Sequence, residues 1–330
     1  MKRLLLLLMG VLLSRTGFGC ELCAIYSASS ARGESKSGFT FNLTEQYVSQ
    51  NTLQQQGDEL HLPPLNSAYL HTSWTHFVPG YNFNPRLGVN VSIPYIYRDF
   101  RRVEFPSTGG VVDEKGNEQG LGDVSLIARF APFVKVEMNY SILFNVMAGV
   151  KFPTGDTDRL DAEVARARQD ELLFGPGHNH SAQGGIHLHD LTLGSGSYDG
   201  IFGTALTARW KKFYFNQQLQ YYLRTEARGY RYADMFIASG GPGMYLITSP
   251  SWTASLQGNV YYETSGSDDL IGQKNIHTGM AAWYAGPQLN LTLGEHLSLN
   301  VAAELPLHYF NRGIQTVVDF RIHGGLTWSF

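Results

Sequence analysis

Four histidines fall close together in the 330-residue chain, at His178, His180, His187 and His189, with Asp190 beside the last. Residues two apart on an extended segment point to the same side, so two such pairs could converge neutral imidazoles on a Zn or Cu ion. The spacing matches no zinc signature built from paired cysteines and histidines. A hydrated loop with adventitious metal affinity is the alternative.

Cys20 and Cys23 form the second constellation with chemical potential. Haem attachment would need a histidine after Cys23, where Ala24 stands, and thioredoxin-like redox chemistry would need a βαβ setting. A local disulfide is preferred, with metal binding or lipidation of Cys20 as the other readings; Gly17-Phe18-Gly19 departs from a lipobox in all but its last residue. A third pair, Asp319 and His323, lies four apart on one strand, about 13 Å at the usual rise per residue. These two cannot hydrogen-bond directly, and no nucleophile, base and orienting group share a recognised spacing. We expect no enzyme.

The elements that position these residues begin with an export signal. Met1-Lys2-Arg3 precedes an apolar run from Leu4 to Leu13, then Gly17-Phe18-Gly19 before Cys20, which marks residues 1–19 as a signal peptide. Both cysteines then enter an oxidising compartment, in a periplasmic N-terminal segment over 20–37. No later apolar stretch approaches the roughly twenty residues of a transmembrane helix. The formal charge of −3 argues against a nucleic-acid partner.

Aromatic residues make up 13% of the chain and charged residues 16%, with 36 glycines, yet mean hydropathy is only −0.17. Alternation reconciles these values, because the lipid and lumen faces of a barrel strand cancel on average. Ile142, Phe144, Val146, Ala148 and Val150 oppose Asn145, Gly149 and Lys151. Leu297, Leu299, Val301, Ala303, Leu305 and Leu307 oppose Ser298, Asn300, Glu304 and His308. Val318, Phe320, Ile322, Leu326, Trp328 and Phe330 oppose Asp319, Arg321, His323, Thr327 and Ser329. That is period two, which no helix produces.

With comparable segments near 38–49, 66–78, 85–98, 121–131, 201–211, 213–224, 235–247, 253–264 and 280–293, the total is about twelve. Connections alternate as outer-membrane barrels require. Short ones fall at Pro79 to Asn82, Ala131 to Met138, Trp210 to Lys212, Thr248 to Ser251 and Leu293 to His296. Longer ones fall near 50–65, 99–120, 153–199, 225–234, 265–279 and 311–315. The prediction is an all-β, antiparallel up-and-down transmembrane barrel over 38–330, ending on an aromatic residue of the kind the outer-membrane assembly machinery reads. In the long external loop 153–199, Asp158 to Leu173 reads as a short helix with Leu160, Val164 and Leu172 on one stripe.

The alternation turns Arg98, Asp123, Arg129, Lys151, Arg209, Glu263, Glu304, Asp319, Arg321 and His323 toward the lumen. Such a mixed lining can satisfy itself within a narrow barrel or guide a small solute.

Three stretches at strand ends resemble the outer-membrane proteins of the meta-pathway of phenol degradation. They are Gly120-Leu121-Gly122-Asp123, Val150-Lys151-Phe152-Pro153-Thr154-Gly155-Asp156 and Gly194-Ser195-Gly196-Ser197-Tyr198-Asp199, with Ile93-Pro94-Tyr95-Ile96-Tyr97-Arg98 agreeing more weakly. The resemblance spans about Leu87 to Leu206, interrupted by an insertion from Thr157 to Leu193. It implies an outer-membrane barrel that passes solutes. The expected function is therefore a channel of the bacterial outer membrane for small solutes, hydrophobic or aromatic ones among them, with membrane lipid as its surroundings. The alternatives are a plugged barrel that binds a transition metal through the histidine loop, and a structural or adhesion barrel without transport.

Overall fold

Period-two alternation becomes twelve long antiparallel strands in a computed structural model that describes residues 37–106, 109–175 and 183–330. The strands are β1 (Gly38–Gln55), β2 (Tyr69–Asn84), β3 (Leu87–Phe105), β4 (Ser125–Val136), β5 (Tyr140–Lys151) and β6 (Asp199–Trp210). The second half comprises β7 (Phe213–Leu223), β8 (Met235–Thr248), β9 (Trp252–Ser265), β10 (Met280–Leu293), β11 (Leu297–Asn311) and β12 (Ile314–Ser329). Each pairs with its sequence neighbours, and β1 closes the barrel on β12 from Thr40↔Ser329 to Gln55↔Ile314. The signal peptide, Cys20, Cys23, His178 and His180 lie outside the described residues.

Large apolar side chains such as Phe130, Phe202, Phe215, Leu256, Leu289, Val301 and Leu305 stand exposed on the outer wall. Closure of β1 on β12 pairs both terminal strands, and an apolar face turned away from the protein can be buried only in hydrocarbon. This is a transmembrane barrel. Its tight turns, among them Pro85-Arg86, Lys211-Lys212 and residues 294–296, share one end with both strand termini, where Phe330 N donates to Phe39 O at 3.0 Å.

The opposite end departs from expectation in one place. Residues 99–120, expected as a loop, are mostly strand: β3 runs on to Phe105 and pairs with Val112–Leu121 from Tyr95↔Leu121 to Glu104↔Val112. The alternation continues through that hairpin, but its charged residues disguise it as solvated loop. The long loop carries α1 (Asp158–Phe174) and the single turn α2 (Leu188–Leu191). Leu160 and Val164 are buried with Ala167, whereas Leu172 is 88% exposed, so the apolar stripe is shorter than the sequence suggested.

The wall also opens along one line. β11 and β12 pair only from Leu297↔Trp328 to Glu304↔Arg321, and above that level the ladder stops. Each strand keeps its other neighbour there, to Asn311 against β10 and to Ile314 against β1. Register shifts in both outer pairings, at Trp283/Tyr284 and at Ser49/Gln50, twist the two strands apart. Pro306, within the split, has no N–H to offer.

Candidate solute chamber and its lid

Inward residues from every strand except β3 form an apolar belt around the lumen. It includes Val48, Val78, Ile127, Met147, Ile201, Tyr222, Ile237, Tyr261, Tyr284 and Val318, with Met235, Met280 and Tyr309 against it. Above the belt lies a chamber of about 340 Å³, and below it a smaller space of about 80 Å³. Asn216, Gln218, Gln257, Asn259, Gln288 and Asn300 give the lower space an amide-rich lining, with Glu45 and Glu304 among them. Polar and apolar zones are thus stacked along the axis. Period two tells which face a residue takes, but not at what depth it sits.

The three glycine-containing stretches meet at one point on the chamber rim. Asp123 accepts hydrogen bonds from Gly155 N at 3.0 Å, Ser195 N at 2.9 Å and Ser195 Oγ at 2.8 Å. Lys151 Nζ lies 2.9 Å from Asp123, 2.7 Å from Asp199 and 2.6 Å from Ser195 Oγ. Asp199 also receives Arg224 at 2.8 Å and Thr225 N at 3.0 Å. The backbones of Gly155 and Gly194 approach so closely that a Cβ on Gly194 would lie 2.5 Å from Gly155 O. Only glycine permits this crossing. As an ammonium, Lys151 uses its three N–H groups on these three partners, leaving no lone pair to activate Ser195 as a nucleophile.

Beyond the latch, the described parts of the insertion, 157–175 and 183–193, fold into the barrel mouth as a lid. Ile186 and Leu191 pack on Leu70 and Phe100 of the inner wall, while Leu160, Val164 and Ala167 of α1 pack on Tyr230 and Leu270 of neighbouring loops. Arg98, on β3, donates to the carbonyl of Thr192. Arg159 reaches Glu114 at 2.8 Å and Glu118 at 2.6 Å, which ties α1 to the projecting hairpin. Gly185 O receives Thr316 N at 2.8 Å and Thr316 Oγ1 at 3.0 Å, so the lid also seals the split between β11 and β12 from within.

His189 and Glu163 join the two helices, with Nδ1 2.9 Å from Oε1 and the His189 N–H donating to Oε2 at 2.5 Å. Burial opposes both charges, yet mutual attraction prevails: Glu163 is drawn down to about 2, and His189, near Glu163 and Asp190, is raised to about 10. A depressed carboxylate stabilises above its unfolded value near 4.5 and loses that contribution as pH falls toward 2. A raised histidine stabilises fully below 6.5 and loses its contribution as pH rises through about 10. Lid docking is thus expected to be tightest between pH 4.5 and 6.5 and to loosen toward pH 10, read as a falling protection factor of the Leu188–Leu191 amides once the base-catalysed intrinsic rate is divided out. An unchanged alkaline limb in His189→Leu would refute this origin.

Of the four histidines expected to converge on an ion, only His187 and His189 fall among the described residues. His187 caps α2 and stacks on His189 with centroids 5.5 Å apart. Among the described residues, no group of three or more His, Cys, Asp or Glu side chains is arranged to hold a metal.

The remaining charged candidates are dispersed. Arg321 lies between the rings of Tyr261 and Tyr284, at 3.8 and 3.7 Å from their centroids, and reaches Glu304 at 3.1 Å and Glu263 at 3.5 Å. Arg129 bridges Asn82 and Asn145, and Arg209 bonds Ser141 and the Glu137 carbonyl near the short turns. His323 lines the lower space with Glu304. Asp319 is looped out by the β12 bulge, where Asn51 N and Thr52 Oγ1 bind its carboxylate at 2.8 and 2.6 Å. The same shift turns Val318, expected to face lipid, into the belt. Glu163, His76 and the belt itself were not singled out from sequence; nothing in their local pattern separates them from ordinary helix or strand positions.

No family model matches this chain, and neither does any curated protein. Among solved structures, an outer membrane channel from Pseudomonas putida F1 is similar, with TM-score 0.60 and 13% identity over 90% of this chain and 96% of that one. The β-domain of the Bordetella autotransporter Brka gives 0.45 and 11%, over 89% and 100%. The toluene transporter TodX of Pseudomonas putida gives 0.41 and 9%, over 96% and 95%. The last two are too distant to weigh. The first, together with strand closure and the apolar outer wall, makes the chain an outer-membrane β-barrel of the same fold as that channel.

Proposed function

We propose that the barrel is a channel for small, predominantly apolar solutes, which enter the chamber when the lid moves. The apolar belt carries this reading. An ion crossing it would lose hydration that the charges beside the belt do not replace, since Arg321, Glu263 and Glu304 already satisfy one another, whereas an apolar solute gains by leaving water. The split beside the chamber suggests the exit. Tyr309, Gln315, Thr316 and Val318 of the splayed strands line the chamber, so an apolar solute can pass sideways into hydrocarbon instead of descending through the amide-lined space. The resemblance to the phenol meta-pathway proteins supports solute passage, and its three stretches are the ones that latch the lid.

Cells whose outer membrane carries the protein are expected to take up an apolar dye, N-phenyl-1-naphthylamine, faster than cells without it. In planar bilayers the same protein should pass little ionic current. Equal dye uptake by the two strains would overturn the proposal.

A further inference from the structure

Two buried polar atoms without a partner among the described residues belong to side chains that line the junction of the two spaces. His76, on β2, is 3% exposed and lines both the chamber and the lower space. Its Nδ1 lies 3.2 Å from Ser92 Oγ, while Nε2 has no hydrogen-bond partner among the described residues. Directly opposite it in the β1–β2 register is Thr44, 6% exposed, whose Oγ1 also lacks a partner. Thr44 in turn faces Gly325 of β12, which contributes no side chain to cover it. A buried hydrogen-bonding atom left unmade costs about 1–3 kcal/mol, so two side by side at a cavity surface mark a place where a guest can supply what the protein does not.

The surroundings define the guest. Trp74, Pro94, Ile96 and Tyr222 line the chamber with His76, whereas Gln46, Asn300 and other uncharged groups lie below it. The carboxylates lining this level are already held, Glu304 by Arg321 and Asn259 and Glu45 by the hydroxyls of Ser73 and Thr75. We infer that His76 Nε2 and Thr44 Oγ1 form a binding station for the hydroxyl of a neutral amphiphile whose apolar body lies against Trp74 and Ile96. The inference rests on the channel reading and sharpens it, because a purely apolar solute would leave both atoms unsatisfied.

Trp74 supplies the readout. Purified barrel in detergent is titrated with 6-bromohexan-1-ol or 1-bromohexane, and Trp74 quenching is isolated by difference against Trp74→Phe. Loss of one net hydrogen bond should raise the half-quenching concentration of the bromoalcohol about fivefold in His76→Leu. Thr44→Val should act in the same direction, His76→Gln should restore binding, and all variants should respond equally to bromohexane. Identical alcohol-to-alkane ratios in wild type, His76→Leu and Thr44→Val would overturn the station and leave both atoms to water. Failure of either probe to quench Trp74 in the wild type would instead remove the channel reading beneath it. Should His76→Leu not fold, as judged by loss of heat-modifiable migration, Thr44→Val decides alone.

Discussion

Arg321→Met is expected to lower the barrel's unfolding free energy by about 3–5 kcal/mol, the usual cost of removing one partner from a buried ion pair. Glu304, like Arg321, is only 2% exposed, and Glu263 is 11% exposed, so neither carboxylate can turn to water when the guanidinium goes. Two ring faces lose their cation as well. Arg321→Lys should recover only part of the loss, because an ammonium cannot lie flat between Tyr261 and Tyr284. Urea unfolding in lipid vesicles measures both. The triple change Arg321→Met, Glu263→Gln, Glu304→Gln should regain most of the stability, since the penalty comes from stranded charge. Wild-type stability in Arg321→Met alone would show that the cluster is idle.

Lys151→Met should act on the lid more than on the barrel. Asp123 and Asp199 would confront each other across Ser195 without their shared cation, at a comparable cost of about 3–5 kcal/mol. Release of Ser195 and Gly194 admits water to the two carboxylates, so the lid rather than the wall yields. Uptake of N-phenyl-1-naphthylamine by cells carrying the variant is expected to be faster than with the wild type, and trypsin should reach Arg159, Arg166 and Arg168 in α1 sooner. Unchanged uptake together with normal proteolysis would place the latch elsewhere.

Much of this molecule is legible in its residues, and the failures share a cause. Closure, strand number and loop alternation follow from period two plus a lipid-facing set, because every strand obeys the same rule and errors at one end do not propagate. Asp319 and Val318 failed because one extra residue in β12 exchanges the two faces beyond it, and nothing in Val317-Val318-Asp319-Phe320 announces a bulge. The convergence of Asp123, Lys151, Ser195 and Asp199 spans over 70 positions; its parts were visible as glycine-containing stretches, but their meeting depends on tertiary closure. The belt was missed for a related reason. Val78, Met147 and Tyr261 look like ordinary inward positions until the strands are set to a common depth.

The unequal strand lengths have a further consequence. β3, at 19 residues, extends about 60 Å, which at a tilt near 40° makes a wall roughly 45 Å high, while β7, at 11 residues, reaches only about 28 Å. The apolar band of an outer-membrane barrel is about 25 Å tall. One flank therefore ends near the lipid headgroups, and the other rises roughly 20 Å beyond them, carrying the charged hairpin and α1 with it. The rim is oblique, like a scoop, and a molecule drifting through the sugar layer outside the cell meets the low flank first and the raised flank behind it.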